Sequence, residues 1–561
     1  MSIRTFFLCT VATAAFGVSG AISSVGAADL PVKAPPPVVP VSMWEVEVGS
    51  RVWFSSGSIG APNPLLNVPN NVVVSRLLYK NETAISGEVF GRLDHSSGVF
   101  VKANAGLGRI DGGEMYDEDF PGGGAYSNTL QNNNTGHIYY GSGDIGYDIL
   151  TGPGGKVGVF IGYGYYGQHV DTFGCTQLAA ADGCNPAQGS PPVPPTFNGV
   201  SEDDAFGAVR LGLSSQFHLT DRIKFTAEAA WLPAVRFWGQ DNHNTVGLII
   251  NEASGSGDGV QLEAILSYAV TDALEVGVGG RYWTWNMRGG ISQFNFDNPA
   301  RQFTEPSSFN SERYGVFAQV SYHWGSVTPD AARPAGYFKA PPEVWSPNWS
   351  GVYVGGFLGG GVGDDRWSDR FGTNSIPGLI FDNIAGFGDS THASGPLGGA
   401  EIGINGQSGM VVYGLEADAS FADIRGQNTC FSGLGGVNCM RDVKELATFT
   451  GRAGVTWDRT LLYVKGGGAW SDTNYSINAN TGVGGVTLGV GSVTASAVGW
   501  TLGGGLEYAL NSKWSGKVEY DYIDFGGKGL TFGTVAVIGA APVSVQQNVN
   551  VMKVGIDYKL N

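Results

Sequence analysis

The stretch Met552-Lys553-Val554-Gly555-Ile556-Asp557-Tyr558-Lys559-Leu560 decides the fold. Met552, Val554, Ile556, Tyr558 and Leu560 share one parity; Lys553, Gly555, Asp557 and Lys559 share the other. A period of two puts these sets on opposite faces of a strand. The pattern recurs upstream. Ile223, Phe225, Ala227, Ala229 and Trp231 alternate with Arg222, Lys224, Thr226 and Glu228. Leu274, Val276, Val278 and Tyr282 alternate with Glu275, Gly277, Gly279 and Arg281. In a soluble sandwich the charged face would meet water. Here the aromatic strand ends fit a barrel in lipid better, with an apolar exterior and a polar lumen.

Composition narrows the field further. Only 14% of the 561 residues are charged, against about 25% in a typical soluble domain. The net charge of −17 (32 basic against 49 acidic residues) excludes nucleic acid as the main partner. A 42% hydrophobic and 12% aromatic content argues against disorder. Beyond the N-terminus no apolar run reaches the roughly 18 residues of a membrane helix. The glycine runs Gly359-Gly360-Gly361 and Gly503-Gly504-Gly505 lack the Lys-Ser/Thr of a phosphate loop and read as room inside a narrow barrel. No motif implies a cofactor or a metal.

Residues 1–27 read as a secretory signal peptide, with Arg4, an apolar run to Val18, and Val25-Gly26-Ala27 for cleavage. Cys175 and Cys184 enclose eight residues, as do Cys430 and Cys439. Export to an oxidising compartment makes each pair a local disulfide. Pro-rich segments at 28–42 and 326–345 carry similar runs, Val32-Lys33-Ala34-Pro35-Pro36-Pro37 and Phe338-Lys339-Ala340-Pro341-Pro342, and read as extended linkers. They delimit two units, 43–325 and 346–561.

Ten strands are expected in the first unit, near 43–54, 81–94, 98–110, 136–149, 156–169, 204–219, 222–238, 258–270, 273–288 and 311–324. Eight are expected in the second, near 349–362, 395–404, 409–424, 445–458, 460–476, 493–510, 513–525 and 547–560. Asp221-Arg222, Asn405-Gly406 and Asn511-Ser512 mark short turns, and segments such as 111–135, 170–203 and 239–257 read as long loops. Alternating short and long connections are the outer-membrane pattern. The fold class is therefore all-β: two tandem antiparallel transmembrane barrels. A single pore of about eighteen strands is the less favoured arrangement.

One constellation carries chemistry. Gly112-Gly113-Glu114-Met115-Tyr116-Asp117-Glu118-Asp119-Phe120 lies in one long loop and Gly239-Gln240-Asp241-Asn242-His243 in another. In extended chain, residues two apart share a face. Asp117 with Asp119, and Asp241 with His243, can therefore point into the barrel mouth and hold a water between them. The surface-loop alternative is that these are ordinary solvated acids.

Residues 43–324 resemble the omptin family of outer-membrane endopeptidases. Gly113-x-Met115-x-Asp117-x-Asp119-Phe120 is similar to that family's Gly-x-Met-x-Asp-x-Asp-Trp, and Asp241-x-His243 to its second motif. The resemblance implies a ten-stranded barrel that hydrolyses peptide bonds at its extracellular rim. Asp241 and His243 would generate the nucleophile; Asp117 and Asp119 would hold the water. It also implies a lipopolysaccharide activator, although Gly167 stands near where the family has an arginine, and cleavage beside basic residues, although Gly239 replaces an acid of the specificity pocket.

The second unit resembles the small eight-stranded surface barrels and the immunogenic porin-like proteins. The resemblance rests on Asn348-Trp349-Ser350-Gly351-Val352-Tyr353-Val354-Gly355-Gly356, on Val518-Glu519-Tyr520-Asp521-Tyr522-Ile523-Asp524-Phe525-Gly526, and on the closing strand, which ends on Asn561 instead of an aromatic residue. Lys517, Glu519 and Asp521 alternate inward as a lumen network. The expected partners are outer-membrane lipid or lipopolysaccharide and a peptide or protein substrate, with the protein in the Gram-negative outer membrane and its loops outside. The alternative function is non-enzymatic: a porin-like surface antigen, adhesin or structural protein.

Overall fold

The computed structural model describes residues 43–560 except 65–72, 120–126, 153, 180–183, 185–192, 245–246, 254, 297–301, 326–346, 370–374, 377–378, 381–389, 432–436, 481–486 and 536–538. The signal peptide and both Pro-rich segments thus lie outside the described residues.

All regular elements among the described residues are strands. The first sheet contains β1 (Trp44–Pro64), β2 (Val73–His95), β3 (Val99–Ile110), β4 (Glu114–Asp119), β5 (Ser127–Gln131), β6 (Thr135–Gly152), β7 (Gly155–Phe173) and β8 (Thr176–Ala179). It continues with β9 (Asn198–His218), β10 (Ile223–Leu232), β11 (Val235–His243), β12 (Leu248–Ala253), β13 (Ser256–Ala269), β14 (Leu274–Phe296) and β15 (Phe303–Trp324). Antiparallel pairing runs β1–β2–β3–β6–β7–β9–β10–β13–β14–β15 and returns from β15 to β1, a ring of ten strands. The second sheet is a closed barrel of β16 (Gly351–Asp369), β19 (Ser390–Ser408), β20 (Val411–Phe431), β21 (Val437–Trp457), β22 (Thr460–Asn480), β23 (Thr487–Ala509), β24 (Trp514–Val535) and β25 (Gly539–Lys559). A two-residue pair, β17 (Ser375–Ile376) and β18 (Leu379–Ile380), stands apart from it. Two separate sheets replace the single-pore arrangement.

The alternation has its expected consequence. Val89, Val278 and Val316 are at least 62% exposed on the outer wall, whereas Arg281 on the lumen side is 3% exposed. Apolar side chains outward and charges inward match a lipid solvent. Outward aromatics mark both edges of the apolar band: Trp44, Tyr147, Tyr268, Tyr322 and Trp324 at the short-turn end, and Tyr163, Trp231, Trp238 and Tyr314 at the other. Chain beyond the second group lies outside the membrane.

The lumen of the first barrel is plugged. Trp53, Tyr140, Tyr166, Phe206, Phe237, Trp283, Trp285 and Phe309 form one buried cluster across it. Phe237 stacks on Phe309 with ring centroids 4.1 Å apart. Below the plug, Arg281 binds Glu88 at 2.6 Å and Glu263 at 2.6 Å, and Arg51 reaches both acids. The lumen of the second barrel is filled by Lys465, Lys517 and Lys553 among Glu416, Asp418, Glu519 and Asp521. The network expected around Lys517, Glu519 and Asp521 is there.

Two expectations need correction. Asn405-Gly406 is not a turn: β19 runs on to Ser408, and Gly409 (φ +60°) makes the turn. Asn405 points into the lumen, where its Oδ1 accepts from Arg452 Nε at 2.9 Å, and a Cβ on Gly406 would lie 2.9 Å from the Tyr413 ring. The segments 111–135, 170–203 and 239–257 are also not simple loops. They carry β4, β5, β8, the upper part of β9, and the hairpin β11–β12, which extend the wall above the membrane.

Candidate active site at the outer rim

Two arms build the rim. β4 pairs with the outer half of β2, from Ser75↔Asp119 to Lys80↔Glu114, and the buried Arg76–Glu118 ion pair holds the two strands together. β11 follows β10 after only Pro233-Ala234 and pairs with the outer half of β9 and with β12. β2 and β10 stand five places apart around the ten-membered ring, so the arms face each other across the mouth.

Strand parity aims the side chains. Phe237 caps the aromatic plug, and Gly239, Asp241 and His243 continue upward on the same face. Met115, on the parity of Asp117 and Asp119, is fully buried in that plug. The structure brings the four residues singled out in the sequence together. His243 Nε2 lies 2.8 Å from Asp241 Oδ2, and its Nδ1 lies 3.9 Å from Asp117 Oδ2 on the opposite arm. Asp241 is 1% exposed. Asp119 sits two residues beyond Asp117 at the more open edge.

The electrostatics follow from this packing. Burial, then the Asp119 charge, pushes the Asp117 carboxyl up to about 7, with His243 pulling the other way. Burial also raises Asp119. For His243, burial favours the neutral ring, but the charge and hydrogen bond of Asp241, then Asp117 and Asp119, outweigh it and raise the imidazole to about 10. At neutral pH the imidazolium therefore keeps its proton, and the carboxylate opposite is poised between its two forms.

Sequence reasoning missed a second group of acids just below. Glu202 and Asp204 on β9 and Glu252 on β12 are buried and face the same lumen. The signal was available in the Glu202-x-Asp204 spacing, which has the parity of the paired motifs above. Of the cysteines, Cys175 and Cys184 form a disulfide with Cα atoms 6.1 Å apart. Cys439 is also disulfide-bonded; the Cys430 side chain lies outside the described residues.

An apolar-coated ten-stranded ring, a closed eight-stranded barrel and arms raised above an aromatic belt define an outer-membrane β-barrel protein. Residues 331–541 match the family described as outer membrane protein beta-barrel domain. The chain is 30% identical over 181 residues to the 31 kDa outer-membrane immunogenic protein of Brucella melitensis biotype 1, an alignment covering 32% of this chain and 71% of that one. The protein of the same name from Brucella suis biovar 1 matches equally. The chain belongs to this family of outer-membrane proteins, and it resides in the Gram-negative outer membrane in contact with membrane lipid. Among solved structures it is similar to the outer membrane protease OmpT from Escherichia coli, with a TM-score of 0.44 and 14% identity over 50% of this chain and 97% of that one.

Proposed function

We propose that the rim of the first barrel hydrolyses peptide bonds with a water activated between the two arms. The observation that carries this reading is His243, held by Asp241 on one side and facing Asp117 on the other. A water fits between Nδ1 and Oδ2 once that 3.9 Å gap opens to about 5 Å, the span of two hydrogen bonds. Asp117, the ionisable group nearest neutrality, takes a proton from the water as the water oxygen bonds to the scissile carbonyl carbon. The His243 imidazolium stabilises the negative charge that develops on the carbonyl oxygen. Return of the proton from Asp117 to the leaving nitrogen breaks the C–N bond. Asp241 fixes the ring, and Asp119 holds the Asp117 proton affinity high.

The aromatic plug gives the site a dry floor, which strengthens each of these charge interactions. With Gly239 in place of an acid, the cut site is set by other groups, and a requirement for a basic residue does not follow from that position. Lipopolysaccharide belongs to the same proposal as a bilayer partner of the arms.

The test is cleavage of a mixed peptide library by the full mature chain, refolded in detergent with lipopolysaccharide. The wild type should cut, and His243→Ala should lower the rate by about 10²–10⁴-fold. The rate should rise with pH as Asp117 ionises near 7 and fall as His243 loses its proton near 10. A folded wild type that cuts nothing between pH 5 and pH 10 would remove the proposal and leave a non-enzymatic surface barrel.

A further inference from the structure

We propose that Glu202, Asp204 and Glu252 form a calcium site below the rim residues. This goes beyond the peptidase reading and does not rest on it.

The geometry comes from three neighbouring strands. Gly239 on β11 is in register with Asp204 on one side and Glu252 on the other; one level higher, Asp241 is in register with Glu202. A Cβ on Gly239 would lie 2.6 Å from Glu252 Oε2 and 2.7 Å from the Phe237 ring. The glycine is thus the gap into which the flanking acids lean. One oxygen from each of Glu202, Asp204 and Glu252 falls within 4.8 Å of the others. That spread matches ligands placed about 2.3–2.6 Å from a shared calcium ion, whereas magnesium demands about 2.0–2.1 Å and gives up its waters reluctantly.

The cluster is built to hold something. Glu202 is 1%, Asp204 2% and Glu252 8% exposed, and no ion pair among the described residues involves any of them. Both oxygens of Glu202, both of Asp204 and Oε2 of Glu252 accept no hydrogen bond; only Oε1 of Glu252 has a partner, the Ser292 hydroxyl at 3.3 Å. Two further buried groups border the acids. The Oδ1 of Asp241 accepts nothing, and the Tyr79 hydroxyl, 1% exposed, faces Glu202 and is held protonated by burial and then by Glu202, Asp241 and Asp204. Buried carboxylates need a proton or a cation. Three of them, converging at ligand distance above the membrane, fit a hard cation with oxygen preference.

The full mature chain is refolded in detergent without lipopolysaccharide, stripped with EDTA, and titrated with calcium chloride in a calorimeter. One ion per chain should bind. Glu252→Gln and Asp204→Asn should each weaken binding at least tenfold, and magnesium chloride should bind more weakly than calcium. Calcium should also raise the melting temperature of the wild type and leave that of the Asp204→Asn/Glu252→Gln double variant unmoved. These variants relieve repulsion and should fold, which heat-modifiable gel mobility checks. His243→Ala should retain calcium, so loss of peptide cleavage and loss of calcium binding remain separable results. Absence of binding by the wild type, or equal affinity in the variants, overturns the site.

Discussion

The lumen of the second barrel and the rim of the first are both rich in buried acid, and they handle it in opposite ways. In the second barrel Glu416, Asp418, Glu519 and Asp521 each meet a cation. Glu416 binds Lys465 at 2.9 Å and reaches Arg452 and Lys517; Asp521 binds Lys553 at 2.8 Å. Tyr353 and Tyr463 donate to Glu416 and Glu519 at 2.6 and 2.7 Å. At the rim, Glu202, Asp204 and Glu252 meet one another. A satisfied network rigidifies and stabilises what surrounds it, whereas an unsatisfied one is costly unless it does something else. The contrast separates an acid layer that is structure from one that is function.

The sharpest way to break that contrast is the same substitution in both places. Glu416→Gln removes the charge shared by two lysines and an arginine and should cost about 3–5 kcal/mol, the range for breaking a buried pair. Glu252→Gln removes an acid that repels its neighbours and should leave stability in EDTA unchanged or higher. Urea midpoints of the refolded chain read both, and a loss for Glu252→Gln matching that for Glu416→Gln would erase the distinction. Next in size is Asp241→Asn. It takes the clamp from His243, should slow cleavage by about 10²–10⁴-fold, and should leave the fold intact. Gly239→Ala is smaller again: its Cβ would crowd the Phe237 ring and the end of Glu252, at about 1–3 kcal/mol for overpacking, and should weaken calcium binding alongside.

The two regions also differ in how far the sequence exposes them. Inside the bilayer both faces of a strand are constrained, apolar outward and polar inward, so Val276 and Val278 against Glu275 and Gly277 reveal β14 unaided. Above the bilayer the outer face is free. In β11 the outward residues beyond Trp238 are Gln240 and Asn242, as polar as the inward Asp241 and His243, and the alternation fades while the strand continues. The arms therefore read as loops, although the paired spacing within them still showed which side chains share a face. Glu252 carried no such pair, and its place beside Asp204 follows only from the register of β9, β11 and β12. Asn405-Gly406 misled for a related reason: its composition suits a turn, but Arg452, 47 residues away in sequence, occupies the lumen beside it and draws Asn405 into the strand.

The smallest expected effect is also the most specific to the rim. After burial, the Asp119 charge is the largest influence keeping the Asp117 carboxyl near 7. Asp119→Asn removes that charge and leaves His243 pulling Asp117 downward, so the rising limb of the pH–rate profile should move to lower pH. The stability linkage has the same origin. A carboxyl raised in the folded state contributes most below its ordinary range near 3.8, and that contribution is lost as the pH rises through about 7. His243 is the opposite case: its contribution is complete below about 6.5 and disappears as the pH rises through about 10. Asp119→Asn should therefore flatten the loss between pH 4 and 7 and keep that above 7, with the second-barrel lumen untouched. A stability profile that flattens while the rising limb of the rate stays in place would assign Asp119 to the fold alone; a limb that moves to lower pH along with the flattening would tie both to the Asp117 proton.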